Sequence, residues 1–200
     1  KEKREKLLMA ALYLPQYLNA DISNQAEYSI TMWGKVFKRD FLKNNQLRCV
    51  QGISPFEDNI FYSQMLGANP IMYFDTHISY NYRINEQSVT QRRLNHEYEI
   101  QNLCKTIKTL KSVVSDRYLM SLFTIMRLRQ VVESILQNSD IRWNKKKRLL
   151  NGMSSEPELV EQFLMIKSNQ YDQQYRKVHR LFYILFRGKH WGGLEFLFGL

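Results

Sequence analysis

The sequence predicts a mostly α-helical α+β protein, with short strands among helices in residues 1–93 and an α-helical subdomain in residues 94–200. From Asn95 onward, apolar residues recur at spacings of three and four, as on one face of a helix. By contrast, apolar and polar residues alternate from His77 to Arg83, which is typical of a strand. The first hundred residues carry 12 Lys and Arg against 11 Asp and Glu, whereas the second hundred carry 17 against 8. We therefore expect two domains with different electrostatic roles.

Composition sets the broad class of the protein. The chain of 200 residues is 44% hydrophobic, enough for one sizeable core or two small ones. Its two cysteines, Cys49 and Cys104, are too few for a disulfide framework and too far apart for a metal-binding knuckle. No apolar run reaches the ~18 residues of a spanning helix, and no signal peptide opens the chain. These features predict a cytoplasmic protein, with peripheral attachment to the inner face of the plasma membrane as an open alternative.

Helical and strand-like segments are mixed in the first domain. Residues 1–27 carry a helical pattern that is interrupted around Pro15. Candidate strands are residues 47–50, 71–74 and 77–83. In the last of these, His77 and Arg83 share the polar face. That face is either a solvated sheet surface or part of a binding site.

The clearest helix start in the first domain is Ser54-Pro55-Phe56-Glu57. A Ser followed three residues later by Glu, with Pro at the first helical position, matches a capping box. It predicts a helix from Pro55 to Leu66 that stops at Gly67, with Glu57 available to cap its own helix. Asp58 falls on a largely apolar face of that helix. An aspartate on a face that should be buried is either paired or functional.

The second domain is predicted to contain five helices joined by short capped turns. The side chain of Asn95 can cap the first of them, and Ser115-Asp116 opens the second. The others are expected after Ser139 as far as Asn151-Gly152, from Pro157, and from about Asp172 to Arg187. Their Met and aromatic residues are best explained as core.

Two features of the second domain are not explained by the packing of an ordinary helical core. One is a basic cluster around Trp143, formed by Arg142, Lys145, Lys146, Lys147 and Arg148. The other is an aromatic tail in residues 181–200 that contains Arg187 and Lys189. Such segments suit a helix that lies on an anionic membrane surface. Alternatively, they form a solvated basic face and a terminal helix packed on the core or on a partner chain.

Three segments of the first domain together resemble the second half of bacterial family 2 glycosyltransferases of the GT-A fold. The resemblance covers roughly residues 28 to 93. The matching segments are Trp33-Gly34-Lys35-Val36-Phe37-Lys38-Arg39, Glu57-Asp58-Asn59-Ile60-Phe61, and Tyr80-Asn81-Tyr82-Arg83 before Ser88-Val89-Thr90. The resemblance implies an incomplete GT-A acceptor half. The full-length enzyme of such a fragment would transfer a sugar from a nucleotide-sugar donor to a saccharide or lipid-linked acceptor with inversion.

The resemblance also implies roles for individual residues. Asp58 matches the family's usual general base, and Glu57 would orient it. Arg83 or His77 would balance charge on the leaving diphosphate or steady the acceptor. Trp33 either packs in the core or offers an aromatic wall to a sugar ring. The last candidate, Lys35, is either a surface charge or a contact to a phosphate.

The chain also departs from the family. It contains no Asp-x-Asp motif and no Gly-rich phosphate loop. We therefore expect a fragment that is inactive alone, in which a divalent cation, Mg or Mn, belongs to the full-length enzyme and has its ligands mostly elsewhere. No metal ligand is assigned within these residues. The competing interpretations are a non-catalytic basic helical adaptor and, less favoured because no recognised motif is present, a nucleic-acid-binding module.

Overall fold

The computed structural model describes residues 32, 34–73, 81, 95–164, 181–182 and 184–198. Among these residues the regular structure is helical, and no strand occurs. The helices are α1 (Arg39–Asn44), α2 (Glu57–Gly67), α3 (His96–Lys111), α4 (Arg117–Gln137), α5 (Trp143–Met153), α6 (Pro157–Leu164) and α7 (Trp191–Leu197), and residues 181–182 and 184–187 are also helical. The mostly α-helical prediction is therefore confirmed, but the short strands are not found in the described part of the chain.

The chain divides into two compact units. The first unit is Lys1–Arg93 together with Thr109–Ser115, and the second is Leu94–Lys108 together with Asp116–Leu200. The main division thus follows Arg93. The sequence did not indicate that the end of α3 and the turn after it group with the first unit.

The first unit has a small aromatic core built on α2. Its buried members are Phe61, Tyr62, Met65 and Leu66, and the partly buried Met32, Phe37, Phe41, Leu42, Leu47 and Met72 pack against them. The ring of Phe37 meets the rings of Phe61 and Tyr62 edge-on, with centroids 5.5 and 6.5 Å apart. Edge-to-face pairs of this kind add to the free energy gained from apolar burial.

The start of α2 differs from the predicted capping box. The N-cap residue is Phe56, in the left-handed region at φ 96°, and no side chain caps the helix. Ser54 therefore lies two residues before the N-cap and not at it. The helix begins two residues after the predicted start at about Pro55, no capping hydrogen bond from Glu57 is found, and the helix ends at Gly67 as predicted.

The predicted strands at residues 47–50 and 71–74 are also wrong wherever the structure describes them. Residues 47–50 and 71–73 are irregular. Met72 packs on the core while Ile71 and Tyr73 are fully exposed, so the alternating pattern reflects one-sided packing of a single segment. A strand also needs a hydrogen-bonded neighbour, which a local pattern cannot reveal. The predicted helix in residues 1–27 lies outside the described residues, as does the strand at 77–83 apart from Asn81.

The second unit is organised around α4. This helix buries apolar residues along its length, and α5 and α6 pack against it. The buried residues of α4 are Leu119, Met120, Leu122, Phe123, Ile125, Leu128, Val132, Ile135 and Leu136. The predicted cap is confirmed, because Glu97 N–H donates to Asn95 Oδ1 over 2.9 Å. The predicted helix start at Ser115-Asp116 is confirmed as well, and there Leu119 N–H donates to Asp116 Oδ1 over 3.1 Å. The predicted start of α6 at Pro157 is confirmed as well.

Candidate functional site

Asp58 lies in the first turn of α2, as the second residue of the helix. Its carboxylate is partly buried, and Oδ2 accepts the backbone N–H of Met32 over 3.3 Å. Among the described residues, the structure gives Oδ1 no hydrogen-bond partner. The side chain is therefore neither sealed in the core nor held in a close ion pair with any residue in the described ranges, the two arrangements that would rule out a role in catalysis.

Burial and nearby charge act on Asp58 in opposite directions. Burial raises the pKa of Asp58 above its ordinary value, while the Met32 amide and the Lys35 ammonium partly offset this effect. The pKa of Lys35 is lowered because its ammonium is also partly buried, and the Asp58 charge offsets that change in turn. The two groups thus stabilise each other's charged forms in a partly desolvated setting.

Tyr62 stands one helical turn after Asp58. Burial and the Asp58 charge raise the pKa of Tyr62 well above its ordinary value, so the phenol stays neutral at physiological pH. The Lys35 Nζ lies 5.4 Å from the centroid of the Tyr62 ring, within the range of a cation–π contact. Lys35 is thereby held beside the acidic end of α2 and is not a freely solvated surface charge.

Glu57 precedes Asp58 at the first position of α2. Its Oε2 is buried and has no hydrogen-bond partner in the described part of the molecule. Glu57 was predicted to orient Asp58. The structure shows no hydrogen bond between the two carboxyl groups, so this role stays a prediction. A buried carboxylate oxygen without a donor costs free energy unless a ligand satisfies it.

Three predicted site residues, Trp33, His77 and Arg83, lie outside the described residues. Their roles stay predictions. The structure brings together Asp58 and Lys35 and adds Tyr62, which sequence reasoning did not select. The (i, i+4) spacing of Asp58 and Tyr62 on one helix face was the signal that could have found it.

Within the described ranges, no group of three or more His, Cys, Asp or Glu side chains converges to hold a metal ion. Glu57 and Asp58 alone would offer an incomplete ligand set. Cys104 is not a reactive thiol either, because burial, with smaller contributions from Glu156 and Glu158, raises its pKa to about 12. Both cysteines are free.

The basic cluster on α5 is only partly available to an external anion. The Lys146 Nζ donates to the Leu136 carbonyl at the end of α4, and the Lys145 Nζ lies 3.7 Å from Glu97 Oε1. Lys147 stands over the Trp143 ring, 5.4 Å from its centroid, but is exposed. Within this cluster, the exposed cations that have no polar partner among the described residues are Arg142, Lys147 and Arg148.

A small polar cavity of about 160 Å³ opens beside the same helix and is lined by Asn95, His96, Glu97, Asn138, Ile141 and Lys145. His96 Nδ1 lies 2.7 Å from Glu99 Oε2, and Asn138 Nδ2 lies 3.1 Å from His96 Nε2. The Asp140 N–H donates to Asn138 Oδ1, which fixes the orientation of that amide. His96 therefore joins α3 to the turn after α4 and has no ring nitrogen left for a ligand.

Comparison with known proteins found no matching family model, no matching curated protein and no matching solved structure. Membership of the glycosyltransferase family accordingly stays a prediction. None of the helices in the described ranges is long and apolar enough to cross a membrane.

Proposed function

We propose that this chain forms the acceptor-side part of an inverting glycosyltransferase in bacterial surface polysaccharide synthesis, with Asp58 as the general base. The observation that carries the proposal is the state of the Asp58 carboxylate. One oxygen is fixed by the Met32 amide, the other is not engaged by any described residue, and partial burial raises the pKa of the group. The three-segment resemblance to family 2 glycosyltransferases supports the same assignment.

The proposed reaction balances as a single displacement. An acceptor hydroxyl attacks the anomeric carbon of the nucleotide-sugar, its proton passes to Asp58, and the bond to the diphosphate breaks with both electrons on the leaving group. A raised pKa makes the ionised carboxylate a stronger base. The Met32 amide limits the side chain to a narrow range of orientations, which favours a productive approach.

The neighbours of Asp58 have separate roles in this proposal. The ammonium of Lys35 keeps Asp58 ionised before the acceptor arrives, because a nearby positive charge favours the carboxylate. Oδ1 of Asp58, which no described residue engages, is left to accept a hydroxyl of the acceptor. A saccharide or the sugar of a lipid-linked acceptor supplies such hydroxyl donors.

The donor side of the reaction belongs to residues other than those described. We assign the nucleotide-sugar diphosphate and a divalent cation to a donor-binding half elsewhere in the polypeptide, and Arg83 and His77 to the leaving group. The cation would neutralise charge on the diphosphate. No step at Asp58 depends on it.

The decisive experiment is Asp58→Asn in the protein that includes its donor-binding half. Nucleoside diphosphate release is followed with a panel of nucleotide-sugars and candidate acceptors. Loss of a general base lowers the rate by about 10²- to 10⁴-fold. The matched control is Asp40→Asn, which changes an exposed acid in the first turn of α1 and leaves the rate unchanged.

The alternative is a non-catalytic basic helical adaptor. Its support is the set of exposed cations on α5. Full activity of Asp58→Asn would remove Asp58 from the mechanism, and absence of transfer from every donor with the native chain would favour the adaptor. Binding to duplex or single-stranded nucleic acid that falls steeply with salt would favour the nucleic-acid module.

A further inference from the structure

The C-terminal helical pair consists of the helical residues 181–182 and 184–187 and helix α7. It exposes large apolar side chains on its outer side. The exposed fraction is 44% for Leu181, 50% for Ile184 and 87% for Phe196. Exposed residues of this size concentrated on one short element mark an interaction surface more often than chance exposure does.

The inner side of the pair is a tight aromatic cluster. Phe182 stacks on Phe186 with ring centroids 5.7 Å apart, and Phe186 meets Trp191 edge-on at 5.6 Å. These three rings and Leu194 are buried. Because both helices turn their buried sides to the same cluster, their exposed sides face away from it.

The turn between the two helices and the start of α7 are closely packed around two glycines. A Cβ on Gly188 would stand 2.6 Å from the His190 ring, and Lys189 has a left-handed backbone at φ 56°. A Cβ on Gly193 would stand 2.9 Å from Leu185 Cδ2. Larger residues at these two positions would therefore displace a neighbouring side chain.

Cations lie close in sequence to the exposed apolar residues. Arg187 and Lys189 are exposed at the turn, whereas Glu195 is the single acidic residue in the sequence from 181 to 198. Apolar side chains with Lys and Arg beside them match the boundary of a bilayer, where the apolar groups enter the acyl region and the cations meet anionic headgroups.

We propose that the C-terminal helical pair docks on an anionic lipid bilayer by inserting Phe196 and Ile184, with Lys189 against the headgroups. This inference goes beyond the glycosyl transfer and does not rest on it. It also moves the expected membrane contact away from the basic cluster at α5, where Lys145 and Lys146 already contact other groups of the protein.

The test uses the 200-residue chain and sedimentation with vesicles of phosphatidylcholine alone or with 30% phosphatidylglycerol as the anionic probe. We expect binding to the anionic vesicles that weakens as salt rises. Phe196→Ser weakens it about tenfold, since a large apolar contact is lost. The matched control, Val160→Ser, changes an exposed apolar residue on α6 and leaves binding unchanged.

A charge pair separates the two basic regions. Lys189→Gln weakens binding to the anionic vesicles, whereas Lys147→Gln on α5 does not. Far-ultraviolet circular dichroism of each variant verifies that the fold is retained. Absence of vesicle binding, binding unaffected by Phe196→Ser, or loss caused by Lys147→Gln alone would each overturn the inference. A concentration-dependent dimer abolished by Phe196→Ser would assign the surface to a second copy and overturn it as well.

Discussion

Helices α2 and α4 both pack in the cores of their units, but they differ in how many of their buried polar groups have hydrogen-bond partners. In α4, the buried Ser121 donates its hydroxyl proton to the Arg117 carbonyl over 2.9 Å, and Thr124 donates to Met120 over 2.8 Å. In α2, three buried atoms have no hydrogen-bond partner in the described part of the molecule: Oε2 of Glu57, Oγ of Ser63 and Oε1 of Gln64. The described part of α4 has one such atom, Nε of Arg127.

The two helix starts show the same difference. Asp116 caps α4, whereas α2 begins after Phe56 with no side-chain cap and with two carboxyl groups in its first turn. Unsatisfied buried polar atoms and missing caps both reduce stability. We infer that α4 satisfies more of its buried polar groups than α2 does. The predictions below test this difference.

The largest effect is expected from Phe123→Ala in α4. Phe123 is fully buried, so truncation leaves a cavity and lowers the free energy of unfolding by about 3–5 kcal/mol. Urea denaturation followed by circular dichroism measures the change. Tyr73→Ala, at an exposed position, serves as control and should change stability by less than about 0.5 kcal/mol. A loss below about 1 kcal/mol for Phe123→Ala would contradict the assigned core.

A pair of serines tests the comparison directly. Ser63 in α2 and Ser121 in α4 are both almost fully buried, but the Ser63 hydroxyl has no hydrogen-bond partner among the described residues, whereas the Ser121 hydroxyl donates to the Arg117 carbonyl. Replacing each by Ala changes helix propensity equally, so the difference reports the hydrogen bond. We expect Ser63→Ala to be more stable than Ser121→Ala by about 1–2 kcal/mol in urea denaturation. Equal stabilities of the two variants would mean that the Ser63 hydroxyl is as well hydrogen-bonded as the Ser121 hydroxyl.

A smaller effect with a defined pH dependence is expected from Asp58→Asn. Because burial raises the pKa of Asp58, the folded state binds the proton more tightly than the unfolded state. The free energy of unfolding of the native protein therefore falls as pH rises from about 3.8 through the raised folded pKa. Asp58→Asn removes that fall. At neutral pH the free energy of unfolding of the variant exceeds that of the native protein by less than about 1 kcal/mol, because the site is partly solvated. A gain that grows toward acid pH would have the wrong sign.

The smallest effect is a shift in the titration of Asp58 itself. Lys35→Met removes the positive charge that offsets burial, so the pKa of Asp58 rises further. Carboxyl ¹³C chemical shifts followed against pH measure this rise. Lys38→Met changes an exposed cation three residues along the chain and leaves the pKa of Asp58 unchanged. Equal curves for both variants would show that Lys35 does not act on Asp58.

Local signals predicted much of the fold. The starts of α3, α4 and α6 followed from Asn95, Asp116 and Pro157, because capping and proline effects act within a few residues. The end of α2 at Gly67 followed for the same reason. The bounds of helix α7 were not predicted, since Gly192 and Gly193 have low helix propensity. Close packing against Leu185 explains the glycine at position 193, whereas a Cβ at position 192 would meet no neighbour.

What the sequence did not predict depends on distant partners. Whether residues 47–50 pair as a strand depends on a neighbour that no local pattern contains. In the same way, Asp58 was selected from its helix position, but its contact with the Met32 amide joins residues 26 apart in the chain. Lys35 and Tyr62 meet around Asp58 through packing of the first unit.

The assignment of Thr109–Ser115 to the first unit affects how the protein can be dissected. Leu110 and Val114 are buried, and both belong to that unit although they follow the start of α3. A truncation after Arg93 would leave the first unit without these side chains, and the remainder would carry them without their neighbours. Expression of either half should therefore yield poorly folded material, so the two regions are best separated by point substitutions in the intact chain.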